Sequence, residues 1–300
     1  MLKIAWSKIY KHPLPENHRF PMEKYELLPQ QLLYEGTVTE ENFFQPEPLD
    51  ESLILSTHDK EYWDKLKNLK LSRKEERKTG FPLSKELVDR ELIITEGTVR
   101  AAKYALENGA AMNIAGGTHH AYTNRGEGFC LLNDIAVSSN YLLGQNLANQ
   151  ILVVDLDVHQ GNGTAQIFEN EDRVFTFSMH GEKNYPLKKE QSDLDIELPD
   201  NTGDKEYLEI LRNKLPELIE AVNPDFVFFQ SGVDVLADDK LGRLALTING
   251  CKQRDEIVLD TCYQNNLPVC MSMGGGYSKQ LSKIIEAHSN TYRLAQKIFF

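Results

Sequence analysis

Two carboxylates and an imidazole stand at alternate positions in Asp155-Leu156-Asp157-Val158-His159. In chain leaving a strand in extended conformation, residues i, i+2 and i+4 point to one side, so these three side chains are expected to converge. Such a group repels or lies unsatisfied unless a cation or hydrogen-bond donors sit among it, and a divalent metal supplies the balancing charge. Asp234, at the end of another apolar run, could complete the set. Asp157, His159 and Asp234 would offer two oxygen ligands and one nitrogen, leaving a position for water as catalytic zinc sites do. Taken singly, each aspartate is more often a helix cap or a surface ion pair, so the weight rests on the combination.

His119 and His120 follow Gly116-Gly117-Thr118. Adjacent histidines usually divide between surface and core. After a Gly-Gly turn at a strand end they could instead face one crevice, where imidazoles with an ordinary pKa of about 6.5 suit proton transfer. Asp155 would then be free to orient one of them. Tyr277 follows Gly274-Gly275-Gly276, where glycines let backbone pass close to a ligand and a phenol can donate to a developing oxyanion; alone, the run is as often a flexible turn. Phosphate-loop and dinucleotide fingerprints are missing. His12, His18, His58 and His288 lack acidic neighbours at ligand spacing and read as solvated or structural, with His18 a candidate to line a pocket and His180 ambiguous.

The elements that would position these residues are short apolar runs alternating with helical periodicity, the pattern of a parallel sheet covered on both faces. Strands are expected at Leu2–Ala5, Ala111–Ala115, Ile151–Asp155, Val174–Ser178, Phe226–Gln230 and Val269–Ser272, and helices at 22–34, from about Asp59, at 87–107 and at 207–222. In such a sheet ligands bind beyond the carboxyl ends of the strands, where the loops quoted above begin. The 300 residues read as one α/β domain, 1–300, with the polar stretch 66–85 a charged surface excursion and the role of 1–85 open.

With 41% hydrophobic and 26% charged residues the composition is globular, and no apolar run approaches the roughly 20 residues of a membrane span. A net charge of −12 argues against binding a nucleic-acid backbone and permits a cationic partner. Cys130, Cys251, Cys262 and Cys270 are widely spaced, with no disulfide framework. The first residues do not read as a signal peptide, so the expected address is cytoplasmic.

Taken in order, five motifs resemble the zinc-dependent histone deacetylase family: Gly116-Gly117-Thr118-His119-His120, Gly128-Phe129-Cys130-Leu131-Leu132-Asn133-Asp134, Asp155-Leu156-Asp157-Val158-His159, Gly232-Val233-Asp234 and Gly274-Gly275-Gly276-Tyr277. The resemblance implies the three-layer arginase/deacetylase fold with a parallel sheet of about eight strands. It makes Asp157, His159 and Asp234 the Zn2+ ligands, with Fe2+ also suited to the donor set. It makes His120 the general base, His119 with Asp155 the partner at the leaving amine, and Tyr277 the oxyanion donor. Gly128, Phe129, Gly275 and Gly276 would line the acyl-lysine tunnel, and Asp155, Asp157, His159, Ser178 and Met179 would hold a structural K+.

Gln160 and Asn162 stand where larger classes carry His and Asp, a pattern similar to class IV and its bacterial relatives. Neutral Asn162 orients His120 without stabilising its imidazolium, which implies a base of lower pKa. Glu86, the one acid between 79 and 87, carries no sign of clamping a peptide backbone. The expected activity is hydrolysis of N-acyl-lysine by metal-activated water, in a protein, peptide or acylated amine. Class IV likeness raises long-chain acyl groups, and other relatives in the superfamily raise acetylpolyamines or small amides. An arginase-type two-metal reading is weakened by Gly161 where a further aspartate is needed, and a non-catalytic acyl-lysine binder is weakened by the retained Tyr277. Phe20, Tyr25 and Leu28 are candidates to cover the tunnel mouth.

Overall fold

The computed structural model describes residues 1–300. Eight strands form one sheet: β1 (Lys3–Ala5), β2 (Phe43–Phe44), β3 (Ala110–Asn113), β4 (Ile151–Asp155), β5 (Val174–Gly181), β6 (Leu194–Leu198), β7 (Phe226–Gln230) and β8 (Val269–Ser272). Their order is β2-β1-β3-β8-β7-β4-β5-β6, every pairing parallel.

Alternation along the strands sorts two cores. Ile151, Val153, Phe226, Phe228 and Cys270 join Ala101, Ala102 and Ala105 of α5 (Lys85–Asn108) and Ile135 and Leu142 of α6 (Asp134–Gly144). Leu152, Val154, Val227, Phe229 and Met271 turn the other way, toward Leu208, Leu211 and Leu215 of α8 (Asp204–Val222), Val258 and Leu259 of α9 (Ile248–Gln264), and Ile284 of α10 (Leu281–Phe299). Central strands covered on both faces are continuously apolar, which is why their boundaries were readable. The three-layer α/β expectation holds, with eight strands.

Two strands and several helices lay outside the sequence reading. β2 has only two residues, and β6, an edge strand, is mostly half-exposed Leu-Asp-Ile-Glu-Leu. The run Leu53–Leu55 is helical, within Glu51–Leu55, and β3 ends at Asn113 rather than Ala115. No helix is long and apolar enough to cross a membrane.

The polar stretch 66–85 is more than a surface excursion. Within it the helix Arg73–Thr79 is capped by Ser72, whose hydroxyl accepts from the Glu75 amide, and ends on Gly80 in left-handed conformation. Its last carbonyls then receive the amides of Gly128 and Phe129, Gly128 N–Lys78 O at 3.0 Å and Phe129 N–Thr79 O at 2.8 Å. A polar segment thereby buttresses one wall of the site.

Candidate active site

At the carboxyl end of the sheet, β4 stops at Asp155, and Asp157 and His159 lie in a turn rather than an extended strand. Asp157 and His159 come together by another route, while the Asp155 carboxylate turns to His119. The Asp157 amide donates to Asp155 Oδ1 at 3.1 Å and the His159 amide to Asp157 Oδ1 at 3.0 Å, two successive side-chain-to-backbone turns that coil the segment around its own carboxylates. Alternate spacing marked two members of the group, Asp157 and His159, but the expected convergence of all three does not occur, and extended geometry was the wrong reason.

Asp234 arrives from the loop after β7, and the candidate ligand atoms of Asp157, His159 and Asp234 lie within 4.8 Å of one another, all three residues buried. Backbone amides hold one oxygen of Asp234, from Val158 N to Oδ1 at 3.0 Å, and both of Asp157, where Gly275 N to Oδ2 at 2.9 Å joins the His159 amide on Oδ1. His159 Nδ1 is directed at Asp157 Oδ1, 3.0 Å away, and lies 3.1 Å from Asp234 Oδ2 out of hydrogen-bonding line. Asp234 Oδ2 is left buried without a donor. Two carboxylates competing for one imidazole N–H leave negative charge that a cation would satisfy, so the residues fit a divalent metal. Gly275 must be glycine, because a Cβ there would fall on the carboxylate oxygens of both aspartates.

The two adjacent histidines are distinguished by their partners. His119 Nδ1 lies 2.6 Å from Asp155 Oδ2, and His120 Nδ1 lies 2.6 Å from Asn162 Oδ1. Asn162 opens a short helix, Asn162–Phe168, and its Nδ2 donates to the Tyr122 hydroxyl at 2.8 Å, which donates in turn to Glu190 Oε1 at 3.1 Å. That chain makes Oδ1 the acceptor, so the His120 proton sits on Nδ1 and Nε2 is the basic nitrogen. Burial depresses every ring here, yet the carboxylates outweigh it at two of them. His119 rises to about 9 against Asp155, and His159 to about 10 between Asp157 and Asp234. His120, with burial and two neighbouring imidazoles acting on it, is held well below its ordinary value.

The histidine loop hangs on Asp134, at the start of α6. Its carboxylate accepts from the amides of Gly117 and Thr118, at 3.1 and 2.8 Å, and from the hydroxyls of Thr98, Thr118 and Ser272. Arg254, fully buried beside Asp255, donates to the carbonyls of Leu156, Ser231 and Gly232 and so ties the two loops carrying the aspartates together. Lys24 is also fully buried, its Nζ donating to Gly274 O at 3.1 Å and facing the rings of Phe20, Tyr25 and Tyr277. Burial lowers its pKa to about 8, with nearby carboxylates opposing the shift.

A cavity of about 40 Å³ reaches from the histidines, Asp157 and Tyr277 inward to Tyr25, Arg90 and Ile94. A groove of about 590 Å³ opens outside it, and the two share His120, Gly128, Phe129, His159 and Tyr277 as a collar. Phe129 holds a left-handed φ of 69°, which turns its ring against those of Phe20 and Tyr277, 5.2 and 5.9 Å away. A Cβ on Gly128 would strike the His120 ring. Gly275, in the loop after β8, lines the inner cavity, but Gly276 beside it faces Val233 and His288 and lines neither cavity, contrary to the tunnel expectation.

Of the three residues expected to cover the tunnel mouth, Phe20 and Tyr25 line the inner cavity, with the Phe20 ring 5.2 Å from Phe129 and 5.8 Å from Tyr277 at the collar, while Leu28 is fully buried and lines neither cavity. His18 bonds Gly80 O at 2.9 Å and stacks on Phe81, while His58 is buried between Tyr122 O and the Asn133 amide. His180 packs beside Ser178, its Nδ1 2.9 Å from the hydroxyl. Asp155 and Ser178 are register partners on β4 and β5, with Met179 next on β5, all three buried. Tyr185 was not foreseen: its ring meets His120 edge-on at 4.9 Å and its hydroxyl donates to Glu127 at 2.7 Å. Lys24, Arg254 and Tyr185 escaped notice because each acts through folding, with no motif spacing of its own.

Known proteins resemble this chain in sequence and fold. The profile of the histone deacetylase domain matches residues 18–292. An uncharacterized protein of Picosynechococcus is 43% identical over 99% of both chains, and a probable deacetylase of Archaeoglobus fulgidus is 32% identical over 82% of this chain and 72% of its own. Histone deacetylase 2 of Arabidopsis thaliana is 29% identical over 89% of this chain and 72% of its own. The fold of a crystal structure of an HDAC homologue from Aquifex aeolicus superposes with a TM-score of 0.84, at 24% identity, over 98% of this chain and 84% of that one. The chain belongs to the histone deacetylase family of the arginase/deacetylase superfamily.

Proposed function

We propose that the chain is a metal-dependent deacetylase, one catalytic domain that hydrolyses the amide of an N-acetyl-lysine or closely similar acylated amine. The observation carrying this is the donorless Asp234 Oδ2 beside Asp157 and His159, the latter two lining a cavity that also presents His120 and Tyr277. Two oxygens and one nitrogen suit Zn2+, with Fe2+ the alternative in the cell. When bound, the ion supplies Lewis acidity toward the amide carbonyl and lowers the pKa of water. Structural K+ at Asp155, Asp157, His159, Ser178 and Met179 remains part of this reading, as do class IV kinship and a reducing, cytoplasmic setting that keeps four buried cysteines unpaired.

His120, neutral and protonated on Nδ1, accepts at Nε2 the proton of the water that attacks the carbonyl carbon. His119, kept protonated by Asp155, supports the developing charge and delivers a proton toward the leaving nitrogen. The Tyr277 hydroxyl donates to the carbonyl oxygen as it becomes an oxyanion. Phe129 and Tyr185 flank the substrate chain and keep bulk water from the reacting amide.

The inner cavity has room for about two or three waters, which suits an acetyl group and not a fatty chain. The test is turnover on matched acetyl-, octanoyl- and myristoyl-lysine peptides beside N-acetylated polyamines. Acetyl-lysine is expected to exceed octanoyl-lysine at least about tenfold in kcat/KM, with the myristoyl peptide inert. Faster release of the longer chains would overturn the small-acyl assignment, and no release from any substrate by metal-loaded protein would overturn the activity.

A further inference from the structure

The outer groove is basic on a chain whose net charge is −12. Arg19, Arg77, Lys78, Lys183 and Arg243 line it, against one carboxylate, Glu127. That carboxylate is already engaged, by Lys78 Nζ at 3.0 Å, Arg125 Nε at 2.9 Å and the Tyr185 hydroxyl at 2.7 Å. Arg243 pairs with Asp200 at 3.1 Å. Arg19, Arg77 and Lys183 pair with no carboxylate: the Arg19 guanidinium sits 5.0 Å over the Phe129 ring at the collar, and Arg77 Nε donates to the carbonyl of Arg73. These side chains come from the N-terminal loop, the helix Arg73–Thr79 and the loop after β5, so they converge on the mouth from separate parts of the chain.

We infer that the groove selects acyl-lysine whose flanking residues are acidic. The inference rests on the proposed deacetylase reading, since the collar of His120, Phe129 and Tyr277 is what joins the groove to the reacting amide. Like charge at the mouth repels a lysine-rich tail or a polyamine, and unpaired cations attract carboxylates on the residues next to the acylated lysine. A groove of about 590 Å³ is large enough for several residues of peptide rather than for the lysine alone. No carboxylate stands free there to hold a cationic partner, so the mouth reverses what the net charge alone permits.

The test is binding, by fluorescence polarisation, and hydrolysis of three acetyl-lysine peptides of one length with Asp/Glu, Gln/Ser or Lys/Arg flanks. The acidic peptide is expected to bind about tenfold tighter than the neutral one, and the basic peptide weakest, with the spread shrinking as salt rises from about 50 to about 500 mM. The double variant R77E/K183E is expected to erase or invert the order through Kd and KM, while K103E/K297E, an equal change of charge at exposed positions of α5 and α10 outside the groove, leaves it in place. Equal binding of the three peptides, an order that survives R77E/K183E, or tighter binding of a single-stranded oligonucleotide than of the acidic peptide would each overturn the inference. Ordered binding without hydrolysis would remove the deacetylase reading and keep the groove's preference; hydrolysis without order would do the reverse.

Discussion

The floor of the site and its mouth sit on either side of one collar of residues and carry opposite charge. Below it, Asp155, Asp157 and Asp234 are buried, each locked by backbone amides or imidazoles. Above it, Arg19, Arg77 and Lys183 are exposed and unpaired. Buried charge has few ways to be satisfied, so the floor tolerates almost no substitution. Exposed charge acts through screened, summed attraction, so the mouth is adjustable, each cation contributing a little. On the proposed reading, reaction and selection fall to regions governed by different physics.

The sharpest way to break this division is at the floor. Asp234→Asn keeps the shape of the side chain and removes its charge; metal content is expected to fall below one per chain, and kcat/KM by at least about a thousandfold, beyond the roughly hundredfold that supporting partners of a metal ligand cost. Mass spectrometry for metal with a parallel rate measurement checks it, and a fully active, fully loaded variant contradicts the ligand assignment. Tyr277→Phe should retain metal and lose about 10²–10³ in kcat, as expected of a single oxyanion donor.

Asn162→Asp probes the floor's proton balance with a smaller change in maximal rate. His120 must be neutral to act, so activity is present above its pKa and lost as pH falls through it. That pKa lies well below the ordinary histidine value. A carboxylate on its Nδ1 stabilises the imidazolium, and the acidic limb of the pH–rate profile should move to higher pH by about one unit or more. An unmoved limb would remove His120 as the base.

Lys24 gives the smallest effect, and one of stability. Its folded pKa of about 8 lies below the roughly 10.4 of an unfolded lysine, so the native state binds fewer protons between those values. The contribution to stability is therefore fully present above about 10.4 and lost as pH falls through about 8. Urea unfolding of wild type and Lys24→Met should show wild type gaining on the variant as pH rises from about 8 to 10. A constant difference would mean that the ammonium is not buried in solution.

The same division explains what could be read from the sequence. The floor was legible because its groups come in tight motifs after apolar strands: β4, β7 and β8 were located to within a residue, and His119, His120, Asp157, His159, Asp234 and Tyr277 meet where the strand order requires. How the Asp155–His159 segment turns was not legible, because a side chain bonding an amide two residues on leaves no periodic trace. The mouth was illegible for a different reason. Arg19, Arg77 and Lys183 are ordinary surface residues in three unrelated segments, and only the approach of the helix Arg73–Thr79 to Gly128 and Phe129 brings two of them together.

The most direct test of the central claim is acetate release from an acetyl-lysine peptide by the 300-residue protein as purified, after complete chelation, and after return of one equivalent of Zn2+. The account expects turnover lost on chelation and restored by the stoichiometric ion, in proportion to metal bound. Turnover that continues undiminished in protein shown to be metal-free would contradict it.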